Sequence, residues 1–422
     1  MLTSFLLVQP RSFPATKTLA TALFLAAAAQ GCGGGGGGSG DGTQQTASAP
    51  SGTPATPTPS AAPAQVAVTT RATGLSSPWG MAFLLDGRLL VTERTGGLKL
   101  LSGEGSVLGN VGLALPNLVV EGQGGLMDVA LDPAFASNGR VYLSFSERDP
   151  GNPALNGTAV ARGELSADAR TLSNVTVIYR QQPKVASTAH FGSRLVFDRE
   201  GRLWVTLGDR RTNEQRGFAQ DLTRGNGKVV RITTDGAPAP GNPTWPAGAL
   251  AETWSYGLRN PQGAAVHPAT GDLWTSDHGP QGGDEINRTV AGANFGWPLA
   301  SHGQEYGTTT PVGPQTLAGT VGPAWVWNTR DGQPWTGGAM SSPAPAGISF
   351  YTGTAVPQWN GNLFVTSLAG RALWRLTLDG NTVTGQERLL ASRNQRLRDV
   401  EQGPDGALYL LTDDGQLLRY GP

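Results

Sequence analysis

His190 stands immediately before Phe191-Gly-Ser-Arg-Leu195, an apolar run that turns and returns to end at Leu207-Gly-Asp209. A hairpin of this length brings Asp209 back to the end where His190 began. A carboxylate beside an imidazole orients it and favours a general base; a structural His–Asp pair would carry the same spacing. The densest polar cluster is Tyr256-Gly-Leu-Arg-Asn-Pro-Gln-Gly263, followed by Ser276-Asp-His-Gly-Pro-Gln-Gly-Gly-Asp-Glu-Ile-Asn287 and Asn294-Phe-Gly-Trp-Pro298. Its Arg259-Asn260 pair sets a fixed cation beside an amide, which suits an anionic ligand. Gly279-Pro280 exposes successive carbonyls at a sharp turn, with Asp277, Asp284 and Glu285 nearby. Hard oxygens of that kind fit Ca²⁺ better than zinc, although carboxylates bracing a loop through its backbone N–H groups would look alike. Arg396 and Arg398 lie two apart, so on a strand both guanidinium groups face one space, an arrangement suited to di- or tricarboxylates. A solvated edge carrying two arginines is the alternative there. His267, before a proline in a hairpin turn, reads as structural, and His302 has no chemical company.

The elements that must position these groups repeat. An apolar run meets a turn containing Gly with Asp, Glu or Asn, and a second apolar run follows. This phrase recurs at 80–92, 126–144, 195–206, 263–276, 347–367 and 399–412. Six hairpins at intervals of about 45 to 90 residues are the pattern of blades in a β-propeller. Alternation along each run gives one face to each neighbouring blade, so the stack buries what a lone hairpin leaves open. A β-sandwich would not need the same hairpin six times. The expected fold class is therefore all-β, one six-bladed β-propeller over residues 66–422.

Composition agrees. Glycine makes up 61 of 422 residues, about twice the usual ~7%, which favours tight turns and short strands. Lys plus Arg and Asp plus Glu are 31 each, and no basic stripe appears, so nucleic acid is not an expected partner. A single cysteine, Cys32, excludes an intramolecular disulfide and a cysteine-rich zinc site. Gly122-Gln-Gly-Gly125 does not complete a dinucleotide fingerprint, and Gly225-Asn-Gly-Lys228 lacks the spacing of a phosphate loop. Arg11 and Lys17 precede the apolar run 19–29, and Gln30-Gly-Cys32 follows, as in a secretory signal. Residues 1–32 read as a signal peptide ending at an imperfect lipobox cysteine, and 33–65 as a flexible tether. An exported protein is expected, periplasmic or held to the cell envelope by lipid on Cys32.

Taken together and in order, these pieces resemble the glucose/sorbosone dehydrogenase family of soluble quinoproteins, in particular its aldose sugar dehydrogenase branch. The resemblance covers about residues 70–420 and rests on Gly122-Gln-Gly-Gly-Leu126, His190-Phe-Gly-Ser-Arg194, Gly208-Asp209, Tyr256–Gly263, His278-Gly-Pro280 with Asp284-Glu-Ile-Asn287, and Arg396-Leu-Arg-Asp-Val400. It implies pyrroloquinoline quinone (PQQ) over the central channel and a Ca²⁺ polarising it. By position, His190 would be the base taking the sugar C1 hydroxyl proton while hydride passes to PQQ, and Asp209 would orient that base. Gln123 would contact the reacting oxygen, and Arg259 would stabilise negative charge. Asn260, Arg396 and Arg398 would hold PQQ. Gly279 and Pro280 would give main-chain oxygens to its Ca²⁺, with Asp284 or Glu285 serving a second calcium. The chain departs from the family at Ala369, where a lysine usually meets the cofactor and Arg371 could substitute, and at Ala189 and His278.

The implied function is PQQ- and Ca²⁺-dependent oxidation of aldose sugars to lactones, delivering electrons to an external acceptor such as a quinone, dye or cytochrome. The alternatives are a non-catalytic cell-surface propeller that binds glycans or proteins, and a metal-dependent propeller lactonase. Neither needs His190, Asp209, Arg259 and the paired arginines together.

Overall fold

The computed structural model describes residues 65–422; the expected signal and tether, Cys32 included, lie outside the described residues. Six four-stranded antiparallel sheets form the blades. Their innermost strands are Pro78–Phe83, Leu126–Leu131, Gly192–Phe197, Pro261–Val266, Pro345–Phe350 and Leu397–Gln402. Each packs on the next and the sixth packs on the first, so the ring closes. The six hairpins read from sequence are the first and second strands of the six blades. Closure uses the N-terminal strand Ala67–Ala72, which pairs with Leu417–Gly421 as the outermost strand of blade 6.

Side-chain alternation explains why the blades stack. In the second strand of blade 1, Leu90 joins the core shared with blade 2, while Leu89 and Val91 join the core shared with blade 6. Blade 3 repeats this: Leu203, Val205 and Leu207 face blade 2, and Trp204 faces blade 4. Six apolar layers result, one between each pair of neighbours.

Near the axis the six inner strands crowd, and every inner hairpin has a register shift at its entry. Glycine is required there. A Cβ at Gly80 would meet Asp128 of the next blade, and one at Gly347 would meet Asp399. Both aspartates sit beside Arg194, whose Nη1 lies 2.9 Å from an oxygen of each. Its guanidinium rests over the Trp79 ring at 4.5 Å, and its Nε donates to the Gln262 carbonyl at 3.1 Å. One buried arginine thus ties together inner strands of blades 1, 2, 3, 4 and 6. Blade 4 carries a long excursion between Asp284–Thr289 and Trp325–Trp327, and this brings Trp297 and Tyr306 to the end of the ring where the polar clusters gather.

Candidate active site

His190 precedes the inner strand of blade 3 and Asp209 follows the second strand, and the pairing of Gly192 with Leu207 brings the two together. His190 Nδ1 lies 2.7 Å from Asp209 Oδ1. Asp209 also accepts the Arg211 N–H at 2.7 Å and, through Oδ2, the Trp297 indole N–H at 2.8 Å. Burial alone would raise the Asp209 carboxyl. The bond to His190, the nearby charges of His190 and Arg259, and the Arg211 N–H outweigh it and hold the group below its ordinary value. Burial, reinforced by Arg259 and opposed by Asp209, pushes His190 down to about 4. Both shifts describe one state at neutral pH: an ionised aspartate and a neutral imidazole. Nδ1 then carries the proton and donates it in the hydrogen bond to Asp209, and Nε2, which takes part in no hydrogen bond among the described residues, is left as the acceptor. His190 has φ +50°, a left-handed conformation fixed by Gln123, whose Oε1 accepts the His190 backbone N–H at 2.8 Å.

Arg259 and Asn260 are set by Asp277, which accepts both backbone N–H groups at 2.9 and 2.6 Å. Arg259 Nη1 donates to the carbonyls of His278 and Gly279 at 3.0 and 2.8 Å, and Nη2 to the Tyr306 hydroxyl at 3.0 Å. Asn260 Oδ1 accepts from Gly192 N at 3.1 Å, whereas its Nδ2 is buried without a partner. His278 holds the Pro345 carbonyl at 2.6 Å through Nε2, so that nitrogen bears the proton. Burial pushes this ring down to about 3 and keeps it neutral.

The acidic residues after Gly279 do different work from a shared cation. Asp284 accepts Gly279 N at 2.8 Å through Oδ1, and the Ser342 hydroxyl and Ala344 N through Oδ2. It braces the Gly279-Pro280 turn. Glu285 accepts only from Asn287, at 3.2 Å, and burial followed by the nearby Asp277 charge pushes it up to about 8. Among the described residues no three His, Cys, Asp or Glu side chains converge to hold a metal ion. Of the two carboxylates expected as candidates for a second calcium, Asp284 gives both oxygens to hydrogen bonds within the loop, whereas Glu285 gives one to Asn287.

A cavity of about 420 Å³ opens beside these groups, lined among others by Gln123, Gln262, His278, Leu368, Arg396 and Arg398. Arg259 and Gly279 line an adjoining crevice that shares His278 with it. The two C-terminal arginines do face one space, because Asp413 takes both: Arg396 Nε at 2.8 Å and Arg398 Nε at 2.9 Å. Arg398 Nη1 also donates to Gln262 Oε1 at 2.8 Å. Pro280 is buried at the turn and lines neither space. Ala369 and Arg371 line a separate cleft instead, and no lysine lines the cavity. Sequence reasoning missed two partners. Asp413 sits in an ordinary-looking Asp-Asp-Gly turn, and Trp297 lies 88 residues from the aspartate it serves.

The profile of the Glucose / Sorbosone dehydrogenase family matches residues 75–419. Aldose sugar dehydrogenase YliI of Escherichia coli is 42% identical over 368 residues, 86% of this chain and 94% of its own length. The soluble aldose sugar dehydrogenase (Asd) from Escherichia coli in the apo-form superposes with a TM-score of 0.77 at 40% identity, covering 85% of this chain and all of the other. The PQQ-bound aldose sugar dehydrogenase of Streptomyces coelicolor is 29% identical with a TM-score of 0.68, covering 85% and 99% of the two chains.

Proposed function

The chain belongs to the glucose/sorbosone dehydrogenase family, and from that premise we propose that it oxidises aldose sugars at C1 to lactones, using PQQ and calcium, with His190 as the base. The chain is an aldose sugar dehydrogenase of the PQQ quinoprotein type. What carries the finer reading is one arrangement: a neutral imidazole tied by Nδ1 to a buried carboxylate, its backbone held by Gln123, which lines a cavity faced by two arginines.

The residues present fit the cofactor. The cavity is of the size usual for small-molecule sites, about 300–1,000 Å³. Arg396 and Arg398 suit its carboxylates, and the orphaned Asn260 Nδ2 is a buried donor lacking an acceptor. For calcium the fit is partial: the Gly279 carbonyl accepts the Arg259 guanidinium and would have to give up that bond to a cation, and Pro280 lines neither space. PQQ with calcium supplies the hydride-accepting centre when bound. Everything else falls to side chains of the chain. His190 Nε2 accepts the hydroxyl proton, Asp209 stabilises the imidazolium that forms, and the Trp297 indole holds Asp209 in place. Gln123 holds the backbone of His190 and presents its amide to the cavity, and Arg259 supplies positive charge beside the dyad. Electrons then leave to an external acceptor.

The test is dye reduction with glucose by the purified protein. Activity that depends on adding both PQQ and Ca²⁺ supports the reading, and activity indifferent to either overturns it. We also propose export with a lipid on Cys32. The parent should partition into detergent and Cys32→Ser should not; equal partitioning would overturn the lipid anchor.

A further inference from the structure

A second cleft, of about 500 Å³, shares Arg396 with the cofactor cavity but is not lined by Arg398. Its lining is Arg330, Ala369, Gly370, Arg371, Arg388, Asn394 and Arg396, with no carboxylate. All four arginines are exposed. Among the described residues, Arg330, Arg371 and Arg388 have no acidic group within ion-pair distance, and the fourth pairs only with Asp413. The Arg330 guanidinium has no hydrogen-bond partner of any kind among them. Arg388 is fixed by donating to the Gly370 carbonyl at 2.7 Å, and Arg371 by donating to Asn394 Oδ1 at 3.1 Å.

Four like charges around one concavity repel one another, and an ordinary surface would intersperse acids. Backbone conformation adds an independent observation. Arg371 has φ +48°, in the left-handed region that glycine or asparagine occupies at lower cost. An arginine held there keeps a guanidinium aimed at the cleft despite the strain. Planar guanidinium groups converging from several directions bind tetrahedral or planar oxyanions through paired N–H donors.

We propose that this cleft is a binding site for a compact multivalent anion, a phosphoryl or dicarboxylate group, distinct from the cofactor cavity and joined to it through Arg396. The proposal goes beyond sugar oxidation and does not need that reading to hold, because binding can be measured without PQQ or sugar.

The experiment is calorimetric titration of the full chain with inorganic phosphate and with malonate at low ionic strength. The parent should bind at least one probe, and the stronger of the two identifies the oxyanion class. Arg330→Gln with Arg371→Gln should weaken binding about tenfold or more while leaving the melting temperature and PQQ affinity unchanged. Arg330→Gln alone should show a smaller loss. Desalted protein loaded with PQQ and calcium should still bind the probe. Any of these results would overturn the proposal: no binding of either probe, equal binding by parent and double variant, or, third, loss of binding once PQQ is loaded. The third would mean that the anion had occupied the cofactor's own arginines. Loss of PQQ affinity in the double variant would overturn it for the same reason.

Discussion

At His190 one ring nitrogen is committed to Asp209 and the other is free, and the two consequences can be measured separately. His190→Gln keeps polarity and similar volume but cannot take a proton, so kcat should fall by about 10²–10⁴ with PQQ still bound. Asp209→Asn should lose less, since it removes orientation and not the base. A His190→Gln protein that holds PQQ and turns over glucose at the parent rate would remove His190 from the mechanism. The second consequence is a pH profile. The base works unprotonated, so the rate is level above its pKa and falls about tenfold per pH unit below it. With burial and Arg259 lowering that pKa to about 4, the acid limb of kcat/KM should lie near 4. A limb near the ordinary 6.5 would show that the imidazole is not desolvated or that another group is the base. The His–Asp pair was legible in the sequence because a hairpin fixes which residues meet at its open end. Trp297 was not, because a contact between blades 3 and 4 has no sequence spacing to reveal it.

At the scale of a strand, the two-residue spacing of Arg396 and Arg398 anticipated one shared space, but alternation is not what brings them there, because Arg396 precedes the strand Leu397–Gln402 and the pairing shifts register between Leu397 and Asp399. The spacing could not say what holds them there. Asp413 accepts both Nε groups and also Arg398 Nη2 at 3.3 Å, and Arg398 Nη1 is taken by Gln262, so of the two arginines only Arg396 keeps both Nη groups without a partner among the described residues. The two arginines differ in burial, and that separates their tests. Arg396 is exposed, with its side chain 44% accessible, so Arg396→Ala should leave the melting temperature of the cofactor-free protein within a degree or two. Its affinity for PQQ should fall about tenfold or more through loss of a charge-assisted contact. An apo-protein destabilised as much as the complex would make Arg396 structural. The turn after Gly279 shows the opposite outcome. Its carboxylates were read as metal ligands or as braces, and composition cannot choose between them; the hydrogen bonds to Gly279, Ser342 and Ala344 show that Asp284 braces the turn.

Over the whole molecule, six repeats of one hairpin told the architecture, because each blade needs two neighbours to bury its faces. What holds the ring at its axis was hidden, since the tie is a single side chain. Arg194 meets Asp128 and Asp399, with Glu401 also close enough to act on its charge. Burial pushes Asp128 up to about 7 and raises Asp399 and Glu401 as well, with Arg194 opposing each shift. Arg194→Met removes the opposition but keeps the volume, and leaving buried carboxyls without their cation should cost about 3–5 kcal/mol near neutral pH. The sign of the pH dependence follows. A carboxyl whose pKa is raised in the folded state stays protonated there while the unfolded chain ionises, so stability falls as pH rises from about 4 toward the folded value. Without Arg194 those folded values rise further, and the fall extends to higher pH. The deficit of the variant should therefore grow between pH 5 and pH 8. Denaturant unfolding curves at the two pH values measure it; a deficit that is constant, or larger at pH 5, would mean that Arg194 acts by packing on Trp79 and not by balancing charge at the centre of the ring.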